Sequence, residues 1–377
     1  MTICIISHTE HYKDNNGNIV GWGPTVREIS HLSAIADQII HLAPLYTKKA
    51  PSASLSYTDK RVQFIPLKPS GGKGLKKLSV LFTAFHNLNL IHQYTKKADH
   101  IQFRSPTGMG IYVLPYLRFF RNKKYWVKYA GNWIDENIPL GNKLQKLFLL
   151  NFISSHTKVT YNGHWVKKLN FLSFENPCLT EDEYKAGKEK IAQKKDPFNK
   201  GWQISFVGNF NEHKGVHLLL QAIEKLEEKK LNIEKVHLVG DGPLMNQLKS
   251  QAKKIKTPVV FHGFLKKNEV NKILFESHAL VLPSKSEGFP KVISEAMNYG
   301  CIPVVTDISS INQYIKNNSN GILIPNPKFE DVVESLERLL NWNSKQYTFG
   351  IYSNSELTSL FTYSAYNKML KEKILHV

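Results

Sequence analysis

The feature that most constrains the fold of this chain is an alternation of short apolar runs with amphipathic stretches in its second half. Parallel strands that are buried on both faces have nearly continuous apolar sequences, and a crossover helix separates each strand from the next. The alternation therefore predicts an α/β fold built on a doubly wound parallel sheet. The predicted strands are 203–207, 235–239, 259–262, 279–282, 302–306 and 321–324, and the predicted helices are 216–228, 243–254, 269–276, 290–299 and 331–340.

The first half shows the same rhythm less regularly, which predicts a second domain of similar architecture. A chain of 377 residues is long enough for two domains with separate cores. We expect an N-terminal domain over 1–185, a C-terminal domain over 200–345, and a tail over 346–377 whose helix crosses back to the N-terminal domain. The polar stretch 181–200 is the predicted boundary. Two Rossmann-like domains of this kind are expected to face each other across a ligand-binding cleft.

The charge of the chain is concentrated in its first half. The net charge is +19, and residues 1–200 hold 29 Lys and Arg against 14 Asp and Glu. Between 60 and 128 there are 14 basic residues and a single acid, Asp99. Such an excess predicts an anionic partner. The aromatic and basic side chains of 111–126 suit the boundary of an anionic bilayer, although a buried helix followed by a solvated basic turn fits them equally well.

Other classes of protein are disfavoured by the sequence. No nucleic-acid-binding motif has its expected spacing, so we expect no nucleic-acid partner. Cys4, Cys178 and Cys301 lie far apart, which indicates neither a disulfide framework nor a zinc site. No secretory leader and no apolar run of membrane-spanning length is visible. We therefore expect a cytoplasmic protein that docks peripherally on the inner face of the plasma membrane.

The segment 283–304 carries the strongest chemical signal. A strand is predicted to end just before it, a polar loop containing Gly288 follows, and Pro290 suits the first turn of a helix. The N-terminus of that helix offers free N–H groups and a partial positive charge to a phosphate, and Lys291 adds a full charge. Nearby carboxylates such as Glu287 suit hydrogen bonds from sugar or ribose hydroxyls. This strand, loop and helix therefore predict an anion-binding site.

Two further turns follow predicted strands. In 207–215 a glycine turn leads to Lys214, which opens a helix and can reach a diphosphate, but a surface lysine before an ordinary helix gives the same pattern. In 261–264 the strand end at Gly263 and Phe264 could let a base approach the backbone, and a plain turn fits it nearly as well. The turn 239–243 is read as structural, because its glycines supply backbone freedom.

Taken in order, these segments resemble the C-terminal domain of the GT4 family of retaining glycosyltransferases with the GT-B fold. The resemblance is specific over 203–340 and loose before it, and 287–295 matches the family's E-x7-E motif. It implies a UDP- or GDP-sugar donor, with Glu295 on the ribose hydroxyls and Glu287 and Lys214 as the catalytic pair beside the sugar and diphosphate. The implied donor-binding residues are Gly23, Gly208, Asn209, Lys214, Gly263, Phe264, Glu287, Gly288, Phe289, Pro290, Lys291, Val292 and Glu295.

In the N-terminal half, the resemblance implies that 21–25 is the family's glycine-rich loop, with Gly23 near the diphosphate. Trp22 would stack on a sugar or simply pack in the loop. The family often has an arginine where this chain has Asn209, so Lys291 or Arg104 would replace that cation. The family's usual histidine after an N-terminal strand is also missing, and Gly131 and Asn132 stand there instead. The acceptor-side candidates are Trp22, Arg104 and Asn132.

The function implied by the resemblance is that of a hexosyltransferase-type enzyme. It would move a sugar, with retention and without metal or cofactor, to a hydroxyl of a saccharide or lipid-linked acceptor in capsule, O-antigen or lipopolysaccharide assembly. The chain contains no Asp-x-Asp motif, which agrees with metal-independent transfer. The alternatives are a GT-B enzyme with a soluble acceptor, an epimerase or phosphorylase, or a non-catalytic protein that binds nucleotide sugars.

Overall fold

The computed structural model describes residues 1–72, 74, 78–120, 124–135, 138–154 and 156–376. The chain forms two compact units, which we call unit 1 (Met1–Glu175 with Tyr366–Val377) and unit 2 (Asn176–Ala365). No helix among the described residues has both the length and the apolar character needed to cross a bilayer.

Unit 1 is built on a parallel sheet whose described strands run in the order β10-β9-β8-β7-β1-β4-β6. A second, small antiparallel sheet has the order β2-β3-β5; β2 and β3 come before helix α1 in the chain, and β5 comes after it. The strands are β1 (Thr2–Ile6), β2 (His11–Lys13), β3 (Ile19–Trp22), β4 (Gln38–Pro44), β5 (Ser54–Ser56), β6 (Val62–Leu67), β7 (His100–Ser105), β8 (Tyr125–Tyr129), β9 (Lys158–Tyr161) and β10 (Phe171–Ser173). The helices are α1 (Gly23–His31), α2 (Ser79–Thr95), α3 (Gly110–Phe120) and α4 (Leu140–Asn151), with a 3₁₀ turn at Leu32–Ala34.

Both faces of the unit 1 sheet are buried, as its apolar strands require. Side chains alternate along β1, so Cys4 and Ile6 join a core formed with α2, α3 and α4, while Ile3 and Ile5 join a second core with α1. The end of the chain contributes Tyr366 and neighbouring residues to that second core. Helices α2, α3 and α4 therefore cover one side of the sheet, and α1 and the C-terminus cover the other.

Unit 2 is a parallel sheet with described strand order β13-β12-β11-β14-β15-β16. Its strands are β11 (Trp202–Val207), β12 (Ile233–Val239), β13 (Val259–Gly263), β14 (Ala279–Leu282), β15 (Ile302–Thr306) and β16 (Ile322–Ile324). Its helices are α5 (Glu181–Ile191), α6 (Val216–Glu228), α7 (Met245–Ala252), α8 (Lys267–Glu276), α9 (Lys291–Asn298), α10 (Ile311–Tyr314), α11 (Phe329–Leu340) and α12 (Ser344–Leu357), with 3₁₀ turns at Glu212–Lys214 and Thr358–Phe361. Helix α13 (Tyr363–Leu370) and a π-helical turn, Lys371–Leu375, follow.

The predicted α/β fold with two Rossmann-like parallel sheets is confirmed. In unit 2 the predicted strands 279–282 and 302–306 coincide with β14 and β15, and the other strand limits differ by one or two residues. These strands were recognisable because both their faces are buried and their apolar runs are continuous.

The chain divides differently from the sequence-based division into 1–185, 200–345 and 346–377. The boundary falls after Glu175, and 346–365 belong to unit 2. The stretch 181–200 is not a simple linker, because α5 begins in it with a capping box. Thr180 Oγ1 accepts the Glu183 N–H at 3.0 Å, and the Glu183 carboxylate accepts the Thr180 N–H at 2.9 Å. A threonine three residues before a glutamate was a readable signal for this helix start.

The capping box at α5 gives a first testable prediction. Thr180→Ala removes the side-chain acceptor for the Glu183 N–H, so we expect the free energy of unfolding of unit 2 to fall by about 1 kcal/mol. Urea denaturation followed by circular dichroism measures this change. Thr58→Ala, at an exposed threonine outside any helix start, serves as the matched control. A loss equal to that of the control would contradict the capping role.

Candidate functional site

The site in unit 2 lies where the strand order of the sheet reverses. Strand β11 has β12 on one side and β14 on the other, so the chain leaves β11 and β14 toward opposite faces. In sheets of this kind a crevice opens at the carboxyl ends of these two central strands, and ligands bind there. The loops that follow β11 and β14 therefore border the expected ligand-binding crevice.

These two loops are in direct contact. The Lys285 N–H donates to the His213 carbonyl at 2.8 Å. Gly215 has a φ of +70°, and a Cβ there would lie 2.1 Å from the Pro283 carbonyl oxygen. Only glycine fits this position, because both the backbone conformation and the close approach exclude a side chain.

Lys214 and Glu287, which sequence reasoning assigned to one site, form an ion pair between Nζ and Oε1. The side chain of Asn211 positions the lysine by accepting the Lys214 N–H at 3.0 Å at the start of a 3₁₀ turn. Neither side chain is fully exposed. A lysine and a carboxylate are thus held together at the carboxyl ends of β11 and β14.

Glu295 has a partner that sequence reasoning missed. It lies in α9 and forms an ion pair with Lys267, the first residue of α8, and both side chains are mostly buried. No spacing in the sequence links these residues, because their contact depends on how two helices pack. The two glutamates of the E-x7-E motif are therefore each matched by a lysine from another element of unit 2.

The N-terminus of α9 is fixed by apolar packing. Pro290 precedes the first helical residue, Lys291. The ring of Phe289 is buried and stacks on Phe361 with centroids 5.0 Å apart. Val292 packs partly against the same core. The side chains of Phe289 and Val292 therefore anchor the helix, and only their backbone N–H groups remain as candidates for binding an anion.

The glycine turns after β11, β12 and β13 are in backbone contact with one another. A Cβ at Gly240 would lie 1.9 Å from the Gly208 carbonyl oxygen, and the Gly240 N–H donates to the Gly263 carbonyl at 2.8 Å. Gly263 has a φ of +66° with open space beside it, and Phe264 next to it is half exposed. The backbones of these three turns therefore lie side by side at the carboxyl ends of the strands.

Two polar residues beside these turns have local roles. Asn209 Oδ1 accepts a hydrogen bond from Asn211 Nδ2 at 2.9 Å, which connects it to the residue that positions Lys214. The hydroxyl of Ser284, at the end of β14, is buried and finds no hydrogen-bond partner among the described residues. Sequence reasoning missed Ser284, and an orphaned buried hydroxyl becomes visible only in three dimensions.

In unit 1, the predicted glycine-rich loop 21–25 is instead a strand end followed directly by a helix, which corrects that prediction. Trp22 ends β3 and is 52% exposed, and Gly23 begins α1. A Cβ at Gly23 would lie 2.7 Å from the Ala53 carbonyl oxygen. The close approach within unit 1 explains this glycine without a ligand.

Arg104 lies in an ion-pair cluster that sequence reasoning missed. Its guanidinium donates to Glu28 Oε1 at 2.9 Å, and Lys128 Nζ donates to the same oxygen at 2.5 Å. Glu28 is only 2% exposed, so it needs these cations. The sequence predicted that Arg104 replaces a missing cation at the diphosphate, whereas the structure pairs its guanidinium with Glu28 in the same unit.

Asn132, the other polar candidate of unit 1, has a local role. Its Oδ1 accepts the Ile134 N–H at 3.1 Å and forms a turn after β8.

Comparison with known proteins shows similarity to glycosyltransferases. Residues 187–355 match the family model of glycosyl transferases group 1. The capsular polysaccharide biosynthesis glycosyltransferase CapM of Staphylococcus aureus is 22% identical over 84% of this chain and 87% of its own length. The UDP-Gal:alpha-D-GlcNAc-diphosphoundecaprenol alpha-1,3-galactosyltransferase of Escherichia coli is 31% identical over 40% of this chain and 39% of its own.

Coverage of other curated relatives is partial. For an uncharacterized glycosyltransferase of Methanocaldococcus jannaschii, 25% identical over 53% of this chain, the match spans about half of the relative's length, 49%. Among solved structures, Anabaena HepE in complex with UDP superposes with a TM-score of 0.71 at 14% identity, over 100% of both chains. A glycosyltransferase from Rickettsia africae gives 0.66 at 15% identity, also over 100% of both. At these identities the likeness concerns the fold.

The chain therefore has the GT-B fold, as the sequence predicted. Residues 187–355, which make up most of unit 2, are similar to the glycosyl transferases group 1 family.

The pairing of Lys267 with Glu295 gives a second prediction. Lys267→Met leaves a mostly buried carboxylate without its cation, so we expect the free energy of unfolding to fall by about 1–3 kcal/mol. Adding Glu295→Gln to that variant removes the uncompensated charge and restores part of the loss. Urea denaturation of the two single variants and the double variant measures the coupling. Additive losses in the double variant would exclude a direct pair.

Proposed function

We propose that this chain is a retaining, metal-independent glycosyltransferase that moves a sugar from a UDP- or GDP-sugar to a hydroxyl of a saccharide acceptor. The observation that carries the proposal is the Lys214–Glu287 ion pair at the point where the strand order of unit 2 reverses. A lysine there can meet the charge of a diphosphate, and a carboxylate can accept hydrogen bonds from sugar hydroxyls. The donor is a substrate, and the proposal includes no cofactor.

Three groups in unit 2 support diphosphate binding without a metal. Lys214 supplies a full positive charge, and the first N–H groups of α9 supply a partial one. The buried Ser284 hydroxyl, which lacks a partner among the described residues, can donate a third hydrogen bond. The carboxylate of Glu295 is assigned to the ribose hydroxyls, and Lys267 keeps that carboxylate in place until the donor arrives.

The proposed reaction is a substitution on the face from which the leaving group departs. The bond between the anomeric carbon and the diphosphate oxygen breaks as the acceptor oxygen bonds to the same carbon from the same side. The acceptor proton passes to the departing phosphate oxygen, so all atoms and charges balance. Lys214 and the N-terminus of α9 stabilise the negative charge that develops on the leaving group. Glu287 orients the sugar hydroxyls.

The relatives support a lipid-linked acceptor. The name of the Escherichia coli relative specifies a UDP-sugar donor and a diphosphoundecaprenol acceptor, and CapM is named for capsular polysaccharide biosynthesis. We propose that unit 1 binds the acceptor, with Trp22 and Asn132 as candidates, and that the product belongs to a surface polysaccharide such as capsule or O-antigen. Acceptors of this kind lie in the cytoplasmic face of the membrane, where the enzyme would dock peripherally.

Helix α2 of unit 1 supports membrane docking, because it presents an apolar stripe to solvent. Leu81, Phe82 and Phe85 follow helical spacing, and the two phenylalanines are 86% and 87% exposed. Exposed aromatic side chains on a single helix face are costly in water and suit the headgroup boundary of a bilayer.

Helix α4 carries a second exposed stripe on the same side of the unit 1 sheet, formed by Leu140, Leu144 and Leu147. Lys143 lies beside this stripe, and Arg118 on α3 is also exposed. Each cation near an anionic surface contributes about 1 kcal/mol. Five of the basic residues counted between 60 and 128 lie outside the described residues: Lys73, Lys76, Lys77, Arg121 and Lys123.

The donor site gives a third prediction. Lys214→Ala removes the cation at the diphosphate, and we expect sugar release from UDP- or GDP-sugars to fall by about 100-fold. Glu287→Gln should reduce turnover similarly, and wild-type turnover should be unchanged by EDTA. Chromatography of the released nucleotide measures all three. Lys272→Ala changes an exposed lysine on α8 and serves as the control.

The same experiment separates the proposal from its alternatives. A wild-type protein that shifts its melting temperature with nucleotide sugars but never consumes them would be a binding protein, and the enzymatic proposal would be wrong. Loss of turnover in EDTA would contradict metal independence. Inversion of the anomeric configuration in the product, measured by proton NMR, would contradict retention.

The apolar stripes give a fourth prediction. Phe82→Asp combined with Phe85→Asp places two carboxylates on the proposed membrane face, so we expect binding to phosphatidylglycerol vesicles in low salt to fall at least tenfold. Vesicle sedimentation measures this. Phe349→Asp, at a phenylalanine of unit 2 that is 60% exposed, is the matched control and should bind as wild type. Equal binding by the double variant would exclude α2 as the docking surface.

A further inference from the structure

Five residues of unit 1 form a closed ring of hydrogen bonds beside the carboxyl end of β1 and the middle of β4. The Thr9 N–H donates to Ser7 Oγ at 3.2 Å, and Ser7 Oγ lies 2.8 Å from His41 Nε2. His41 Nδ1 lies 2.6 Å from Tyr57 Oη, which lies 3.0 Å from His11 Nε2. His11 Nδ1 lies 2.8 Å from the Thr9 carbonyl and closes the ring.

The direction of every bond in this ring follows from its one obligate acceptor. The Thr9 carbonyl can only accept, so His11 Nδ1 carries a hydrogen, and in the neutral imidazole Nε2 then accepts from the Tyr57 hydroxyl. Because the tyrosine hydrogen is then used, Tyr57 Oη accepts from His41 Nδ1–H, and His41 Nε2 accepts from the Ser7 hydroxyl. Each donor is used once, and both imidazoles are neutral with the hydrogen on Nδ1.

The surroundings of the ring favour these neutral imidazoles. His11 and His41 are fully buried, and the ring of Phe64 packs 4.5 Å from His11 between centroids. Burial lowers the pKa of His11 to about 4, against the weaker opposing effect of the Thr9 carbonyl. Burial also holds the pKa of His41 well below 6.5, with smaller contributions from His11 and Arg104.

The ring connects the parallel sheet of unit 1 to the small antiparallel sheet β2-β3-β5. Ser7 follows β1, His41 lies in β4, His11 lies in β2 and Tyr57 follows β5. The imidazole of His11 also occupies the space beside Gly21, where a Cβ would lie 2.4 Å from its Nε2. Strand β3 is thereby held by the ring, and its last residue leads directly into α1.

We propose that this hydrogen-bonded ring is a positioning device for residues 21–23, and that Ser7, His11, His41 and Tyr57 are positioning residues for sugar transfer. The proposal rests on the proposed function in one respect, namely that Trp22 contacts the acceptor. None of the four side chains is assigned a contact with substrate. Their effect on transfer is exerted through the backbone of β3 and the start of α1.

A spectroscopic measurement tests the ring itself. Free histidine favours the Nε2–H tautomer, whereas the ring requires Nδ1–H on both His11 and His41. We expect nitrogen-15 NMR of histidine-labelled full-length protein to show two neutral imidazoles with the hydrogen on Nδ1, assigned with single histidine variants. Neither imidazole should titrate near pH 6.5. An Nε2–H tautomer at either position, or titration near 6.5, would overturn the ring.

Amide hydrogen exchange tests positioning without requiring activity. Tyr57→Phe removes the oxygen that joins the two imidazoles, so we expect the amides of 19–23 to exchange at least tenfold faster while those of unit 2 do not change. Ser7→Ala, which opens the ring elsewhere and removes a single hydroxyl, should act in the same direction. Tyr46→Phe, a matched loss of a hydroxyl outside the ring, should exchange as wild type. Unchanged exchange in both ring variants would overturn the positioning role.

Transfer kinetics then test the link to function. We expect Tyr57→Phe to lower transfer to the acceptor about tenfold while the affinity for UDP, measured by calorimetry, stays at the wild-type value, because the donor residues lie in unit 2. Normal transfer by a variant with loosened 19–23 would refute the link. If wild-type protein transfers no sugar, the proposed function fails, whereas NMR and hydrogen exchange still decide the ring.

The ring also has a defined pH dependence. The pKa values of both histidines are lower in the folded protein than the 6.5 of an ordinary histidine. The unfolded chain therefore binds more protons below 6.5, so the stabilisation is complete above that pH and is lost as the pH falls toward about 4. Faster exchange of 19–23 on acidification, absent at other strands of unit 1, is the expected result, and uniform behaviour of all strands would contradict it.

Discussion

The constraint on which the rest of this structure depends is the reversal of strand order in the parallel sheet of unit 2. Because β12 and β14 flank β11, the connections that leave the two central strands diverge to opposite faces and open a crevice between them. Everything proposed for the donor follows from that geometry. The lysine after β11, the carboxylate after β14 and the N-terminus of α9 meet there although 73 residues separate Lys214 from Glu287.

Much of the fold could be predicted from the sequence, because a parallel strand that is buried on both faces has a continuous apolar run that can be recognised without knowing its neighbours. Continuous apolar runs such as 279–282 and 302–306 gave strand limits that match the structure. Lys214 and Glu287 were assigned to one site by the resemblance to the GT4 family, and the structure brings the two side chains into contact. The helix start at Thr180 was equally readable, although the polar residues of 181–200 led to the prediction of a domain boundary there.

The remaining features depend on contacts between elements that no spacing reports. Lys267 meets Glu295 through the packing of α8 on α9, and Glu28 meets Arg104 across unit 1 over 76 residues of chain. The exposure of Phe82 and Phe85 on α2 was not foreseen, because a sequence does not report which side of a helix faces solvent. The hydrogen-bonded ring of unit 1 joins residues 7–11 with His41 and Tyr57, and none of these three stretches signals the contact on its own.

The Lys214–Glu287 pair has a consequence for which ligands the site accepts. In the ligand-free protein each charge already has a partner, so a simple phosphate ion that attracted the lysine would strand the carboxylate in a half-buried environment, at a cost that cancels most of the gain. A molecule with a diphosphate at one end and hydroxyl donors at the other satisfies both side chains at once. The pair is therefore best matched by a ligand that offers both chemistries, whereas a free phosphate ion satisfies the lysine alone.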